Sequence, residues 1–257
     1  MRCLDLSGKV ALVLGVANKR SLAWAIADAL GEAGASLAMT YQGERLQKNV
    51  MELASKYPDA PVMTCDVGSD EQVEGVFARI EKDYGRIDIL VHSIAFANRE
   101  DLEGKFSKTS LGGWRTALEV SAYSFIKLTD RALPLMKEGG SVMALTYLAS
   151  QRVVPNYNVM GSAKAALEHA VRQLASELGP QGVRVNAISA GPVPTLSARG
   201  ISGFSDMAVH HREHAPLGRN IEPREVGDTA LFLASELSSG ITGEIMYVDA
   251  GYNIMAI

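Results

Sequence analysis

A doubly wound α/β fold is what this sequence predicts: one domain on about seven parallel strands, with helices on both faces. Three observations carry that expectation. Short aliphatic runs alternate with helical patterns from end to end, an order that implies right-handed crossovers and a parallel sheet covered on both sides. Of the nine prolines, all but Pro134 stand where one such segment hands over to the next, as their missing N–H requires. Aromatic residues make up only 6% while glycines number 24, so small and branched aliphatic side chains must do the packing, which suits helices set close on a sheet. At about 150 residues per domain, a length of 257 allows one large domain or two small ones. No repeat or low-complexity linker divides the chain. The reading is therefore a single domain over 1–257.

The elements follow in order. The run at 10–14 is the first strand, ending at Gly15, and a helix spans 21–33. A second strand at 36–41 precedes a charged helix at 44–56. The third, 61–65, leads to an amphipathic helix at 70–84, with Val73, Val76, Phe77 and Ile80 at helical spacing. Residues 87–92 form the fourth strand and 114–136 a helix; 141–146 is the fifth, before a long helix over 157–178. A strand at 183–188, a helix at 225–234 and a strand at 244–248 complete the series. The arrangement is of Rossmann type. Two stretches fit neither pattern, 95–113 after the fourth strand and 191–218 after the sixth. Loops beyond the carboxyl ends of parallel strands form the ligand crevice, so these are the expected substrate walls, with 191–218 as a lid.

Bulk properties exclude several functions. A net charge of −4 and a pI near 5.8 give no electrostatic footprint for nucleic acid. Only Cys3 and Cys65 are present, far apart, which suggests neither a disulfide framework nor a thiolate metal cluster. The apolar run behind the N-terminal MRCLDLSGK is too short for a signal peptide, and no run reaches the ~18 apolar residues of a membrane span. A reducing cytoplasm is the expected setting.

The first strand runs into Gly15-Val16-Ala17-Asn18-Lys19-Arg20-Ser21-Leu22. Glycine after a strand, with a helix opening at Ser21, leaves free N–H groups at the positive helix end, where an anion can bind. The G-x-G-x-x-G fingerprint is absent, and a plain turn capped by Ser21 is the competing explanation. Three further strand ends favour a dinucleotide. Gln42 follows the second strand, where such folds meet the adenosine ribose; Asp66-Val67 follows the third and suits an adenine edge; Ser93-Ile94 follows the fourth and lets a cofactor pass. Gln42 is neither the acid typical of NAD sites nor an arginine for a 2′-phosphate, although Arg45 and Lys48 lie further along the helix. NADH is the expected cofactor, with NADPH as the alternative.

The stretch from Thr146 to Lys164 carries the chemistry. Tyr157 and Lys164 are seven residues apart at the start of a helix, and seven steps at ~3.6 residues per turn bring both to one face. A phenol donates a proton or hydrogen bond to a developing oxyanion, and a nearby ammonium favours the phenolate and holds ribose hydroxyls.

With these residues in view, the sequence closely resembles the enoyl-[acyl-carrier-protein] reductases of the short-chain dehydrogenase/reductase superfamily. The likeness runs through Ser7-Gly8-Lys9, the Gly15 to Ser21 loop, Thr40-Tyr41-Gln42, Cys65-Asp66-Val67, Val91-His92-Ser93-Ile94, the 155–161 and 182–192 stretches, and Gly243 through Asp249. Its most specific element is the spacing Tyr147-x9-Tyr157-x6-Lys164. The resemblance implies reduction of the trans-2 double bond of an enoyl thioester by NADH, in the last step of each fatty-acid elongation cycle. It implies that Tyr157 stabilises the enolate, that Lys164 holds the nicotinamide ribose, and that Tyr147 lines the acyl pocket. Gly15, Ser21, Leu22, Gln42, Asp66, Val67, Ser93, Ile94 and the segment Val193, Pro194, Thr195, Leu196, Ser197 are the implied cofactor contacts. Ala97, Met160 and Phe204 are the implied substrate contacts, beside the two tyrosines.

The ordinary superfamily spacing, Tyr-x3-Lys, would need a tyrosine at position 160. Met160 cannot donate a proton, which disfavours a ketoacyl reductase or alcohol dehydrogenase. A non-catalytic dinucleotide sensor, a third reading, has no need of the Tyr157/Lys164 pair. His210-His211-Arg212-Glu213-His214 satisfies H-x-x-E-H, but zinc would need a third ligand, and a polar lid face is the preferred reading. His92 reads as a core or cofactor-edge residue, His169 as a helix or subunit contact. The resemblance also implies a homotetramer; the small run Ala163, Ala165, Ala166, Ala170 and the tail 251–257 are the candidate contacts. The implied partner is an acyl carrier protein, which is acidic. The lid offers Arg199 and Arg212, while Ser202, Ser205 and Asp206 stand where related enzymes often present Lys or Arg.

Overall fold

The computed structural model describes residues 4–256, apart from the side chain of Arg199. Cys3 lies outside the described residues. Strands β1 (Val10–Leu14), β2 (Ser36–Tyr41), β3 (Val62–Thr64), β4 (Ile89–His92), β5 (Gly140–Thr146), β6 (Val183–Ala190) and β7 (Ile245–Val248) form one parallel sheet, ordered β3-β2-β1-β4-β5-β6-β7. The order reverses beside β1, which pairs with β2 on one side and β4 on the other, and this opens a crevice above the carboxyl edge.

Helices α1 (Leu22–Glu32), α2 (Glu44–Ala54) and α9 (Pro223–Ala234) cover one face, packing Ile26, Leu30, Val50, Val226 and Leu233 on the sheet. Helices α3 (Asp70–Tyr84), α6 (Ser124–Ala132) and α7 (Asn158–Leu178) cover the other, through Val76, Ile80, Phe125, Leu128, Leu167 and Val171. Capping matches the sequence where a small hydroxyl precedes a helix: Ser21 accepts from the Trp24 amide and Ser69 from that of Gln72.

The stretch expected as one helix over 114–136 is interrupted. Helix α5 (Leu111–Leu118) runs into a π-helical turn at Glu119–Tyr123, then α6, and ends in a 3-10 turn at Leu133–Leu135 that takes up Pro134. The two stretches without a pattern contain short structure of their own. The first, beyond β4, holds α4 (Arg99–Leu102) and a 3-10 turn at Phe106–Lys108; the second holds α8 (Phe204–His214). The small-residue run divides: Ala163 and Ala170 are buried within the chain, Ala166 is half-buried and Ala165 exposed. No helix among the described residues is long and apolar enough to cross a membrane.

Candidate active site

A cleft of about 380 Å³ lies over the carboxyl ends of β1, β4, β5 and β6. Those ends are level, Leu14 standing opposite His92, His92 opposite Ala144, and Thr146 opposite Ser189. Gly15 opens one end of the floor. Its φ is +94°, and a Cβ there would come within 2.2 Å of the Ser93 carbonyl oxygen, so the turn needs glycine on two counts. That close approach lays the β1–α1 turn against β4. At the start of α1, the amides of Leu22 and Ala23 precede any intrahelical acceptor, leaving donors for an anion.

Tyr157 and Lys164 stand on the first turns of α7, and both line the cleft with Tyr147. The two tyrosine rings meet edge to face, their centroids 5.1 Å apart. The Tyr147 hydroxyl lies 3.3 Å from Met207 Sδ on α8, tying the floor to the lid. Desolvation raises the Tyr147 phenol to about 12 and carries Tyr157 further in the same direction. The Lys164 ammonium donates to the Leu145 carbonyl at 2.7 Å, and burial lowers it to about 8. The pull of the ammonium toward a phenolate is outweighed at Tyr157 by burial, which raises the phenol. A phenol, not a phenolate, faces the cleft.

Of the sequence-predicted residues, Gly15, Ser21, Leu22, Ser93, Ile94, Ala97, Tyr147, Tyr157, Met160, Lys164, Val193, Thr195, Leu196, Ser197 and Phe204 line this cleft. Gln42, Asp66, Val67 and Pro194 do not. Gln42 is exposed beyond the end of β2, and Asp66 accepts the Gly68 amide in the turn before α3. Val67 is buried in the core beside α3, while Pro194 is exposed. Sequence reasoning missed Arg99, Leu102, Thr146, Ile201 and Met207, which also line the cleft. Apolar residues in segments without periodicity were the one available signal for Leu102, Ile201 and Met207.

Side-chain bonds tie together the segments beyond β4 and β6 and the stretch before α7. Ser202 on the lid donates to Glu103 at 2.5 Å, and Asn156 donates to the Ser202 carbonyl at 2.8 Å. Asn158 donates to the carbonyls of Glu103 and Gly104 at 3.3 Å. Asn156 and Asn158 flank Tyr157 with positive φ, 60° and 25°, which Asn tolerates better than most residues.

The histidines take structural places. His92 is fully buried, its Nε2 2.7 Å from Ser124 Oγ and its Nδ1 without a partner among the described residues. On α8, His210 and His214 lie ring against ring at 4.0 Å, while His211 is buried, stacked on Tyr252 and bonded to Asn220. Among the described residues no group of three His, Cys, Asp or Glu side chains is placed to hold a metal. His169 is exposed beside Gln173.

A family model described as "Enoyl-(Acyl carrier protein) reductase" matches residues 15–253. An enoyl-[acyl-carrier-protein] reductase [NADH] of Nostoc sp. is 52% identical over 99% of this chain and all of that protein. The enzyme of a Staphylococcus aureus strain, named as using NADPH, is 49% identical over 97% of this chain and 98% of its own. Among solved structures, the Bacillus cereus enoyl-acyl carrier protein reductase, determined with NADP+ and an indole naphthyridinone, superposes with a TM-score of 0.96 at 49% identity. That match covers 98% of this chain and all of the other.

Proposed function

Because this chain belongs to the enoyl-(acyl carrier protein) reductase family, we propose that it reduces the trans-2 double bond of enoyl thioesters on acyl carrier protein with NADH. The observation that carries this reading is the Tyr157/Lys164 pair in one cleft with Tyr147, where Met160 takes the place of a proton donor. NADH is preferred to NADPH because Gln42 offers no cation at the end of β2, while relatives of both kinds keep NADPH as the alternative.

When bound, the dinucleotide supplies a hydride to the β-carbon of the enoyl group. The Gly15 turn and the first amides of α1 would hold its pyrophosphate: the floor there is bare backbone, and the first-turn amides are left without intrahelical acceptors. Lys164 would hold the nicotinamide ribose hydroxyls. Tyr157 would donate a hydrogen bond to the thioester carbonyl oxygen, on which negative charge gathers, and a proton taken from solvent at the α-carbon would complete the reduction. Retaining its proton suits Tyr157 to that task, because the phenol that lines the cleft is then a ready hydrogen-bond donor. Tyr147, Ala97, Met160 and Phe204 form the acyl wall. Ser21, Leu22, Ser93, Ile94, Val193, Thr195, Leu196 and Ser197 line the cofactor half; Gln42, Asp66 and Val67 edge its adenosine end, and Pro194 shapes the lid beside it.

The segment 191–218 works as a lid on a single domain. A homotetramer in the cytoplasm fits the exposed apolar residues Leu111, Trp114, Tyr123 and Ile126 along the run from α5 to α6 and Ile254 and Met255 near the C-terminus. For the carrier protein, Ser202 is already engaged by Glu103 and Asp206 is exposed and acidic, so Arg212 is the cation left to the described face of α8.

The test compares loss of NADH absorbance with a crotonyl and an acetoacetyl thioester. Turnover of the crotonyl substrate alone is expected. Soluble, NADH-binding protein that leaves it untouched would sink the proposal, and preference for the acetoacetyl compound would make the protein a ketoacyl reductase.

A further inference from the structure

Helix α7 buries a second ionisable group besides Lys164. Glu168 lies one turn further on and is 3% exposed. A carboxylate removed from water needs a cation or hydrogen-bond donors, since desolvation otherwise drives it neutral. Its Oε1 accepts from the Thr146 hydroxyl at 2.7 Å. The cation on the same face is Lys164, at i−4, 5% exposed and bonded to the Leu145 carbonyl. Leu145 and Thr146 are consecutive at the end of β5, so one dipeptide grips both ions: its carbonyl takes the ammonium, its hydroxyl the carboxylate.

Glu168 is the carboxylate whose charge acts to raise Lys164. His92 on β4 is kept neutral by burial and by the charge of Lys164. Tyr157 and Tyr147 keep their protons, and Tyr247 on β7, raised by burial and by Glu168, keeps its own. Asp249, after β7, is taken up by the amides of Gly251 and Asn253.

We propose that Glu168 is a positioning residue: the buried counter-charge, anchored by Thr146, that keeps Lys164 an ammonium facing the cleft. The inference rests on Lys164 as the ribose-binding cation. Burial lowers Lys164 to about 8, and the neighbouring carboxylate opposes that fall. The ammonium is present below that pH and lost as pH rises through it. Without Glu168 the loss begins lower.

NADH affinity is measured by fluorescence titration from pH 6 to 9.5 on the full-length wild type, Glu168→Gln, Glu168→Asp and Lys164→Met, with a thermal midpoint for each. The glutamine keeps an oxygen for Thr146, so the fold should survive. At pH 6 Glu168→Gln should bind as the wild type does, and near pH 8 about fivefold more weakly, the effect one close charge has on a buried base. Glu168→Asp should restore part of the difference. Curves that superimpose for wild type and Glu168→Gln overturn the inference, as does a uniform loss at every pH with a lowered midpoint. If Lys164→Met binds NADH as the wild type does, the role of Lys164 falls and the inference with it. If Lys164→Met weakens binding while Glu168→Gln leaves the curve in place, only the inference falls.

Discussion

The floor of the cleft and its two lips are built by different means. The floor is largely backbone: strand ends in register, a β1–α1 turn pressed on Ser93, and Lys164 fastened to a strand carbonyl. The lips, beyond β4 and beyond β6, are joined by a few polar side chains: Ser202 to Glu103, Asn156 to Ser202, Asn158 to Glu103 and Gly104. A buried ladder is cooperative, so damage to it is felt as loss of the fold. Each lip bond can break while the sheet stays intact, so damage there is felt as looser hold on the substrate. Chemistry and access are thus separable in this molecule, and Tyr157, flanked by the two asparagines, stands where they meet.

The sharpest test lies at that meeting point. Tyr157→Phe removes one donor and no packing volume, and should lower kcat by about 10²–10³-fold, as loss of an oxyanion donor does. NADH affinity should stay within about twofold. Steady-state kinetics beside fluorescence titration checks this, and equal losses in both would move Tyr157 into cofactor binding.

Next comes the floor itself. Gly15→Ala forces a side chain into φ +94° and against Ser93, and should cost about 3 kcal/mol in urea unfolding, with NADH binding lost alongside. An unchanged urea midpoint with only a raised KM would mean the floor gives as easily as the lips.

The smallest effects belong to the lips. Asn156→Gly keeps the left-handed backbone and drops only the bond to Ser202, so KM for the enoyl thioester should rise about threefold while stability moves by less than about 1 kcal/mol. Asn156→Ala should raise KM similarly and also lower stability by about 1 kcal/mol, from strain. A large loss of stability in the glycine variant would erase the contrast between floor and lips.

Much of the floor was legible in the sequence because its signals are local. The aliphatic runs marked all seven strands, and Ser69 with Gly85 bounded α3 as expected over 70–84. The seven-residue spacing placed Tyr157 and Lys164 on one face before any coordinates. The lips were legible as the two unpatterned segments but their bonds were not, because these join residues up to 99 positions apart, as Ser202 and Glu103 are. Helix α8 buries only His211, so it shows no apolar stripe to betray it. The π turn at Glu119–Tyr123 hides for another reason: one extra residue per turn shifts the apolar phase without interrupting the pattern. Glu168 was within reach, as an acid at i+4 from Lys164 on the buried face of α7.

The strand order also sets a timetable. Every pairing in the sheet is parallel, so each strand waits for a crossover before it meets its neighbour, and β1 is enclosed only when β4 arrives at His92. Chains emerge N-terminal end first. On the ribosome, the β3-β2-β1-β4 half of the sheet can therefore take shape while the tyrosine, the lysine and the glutamate behind it are still untranslated.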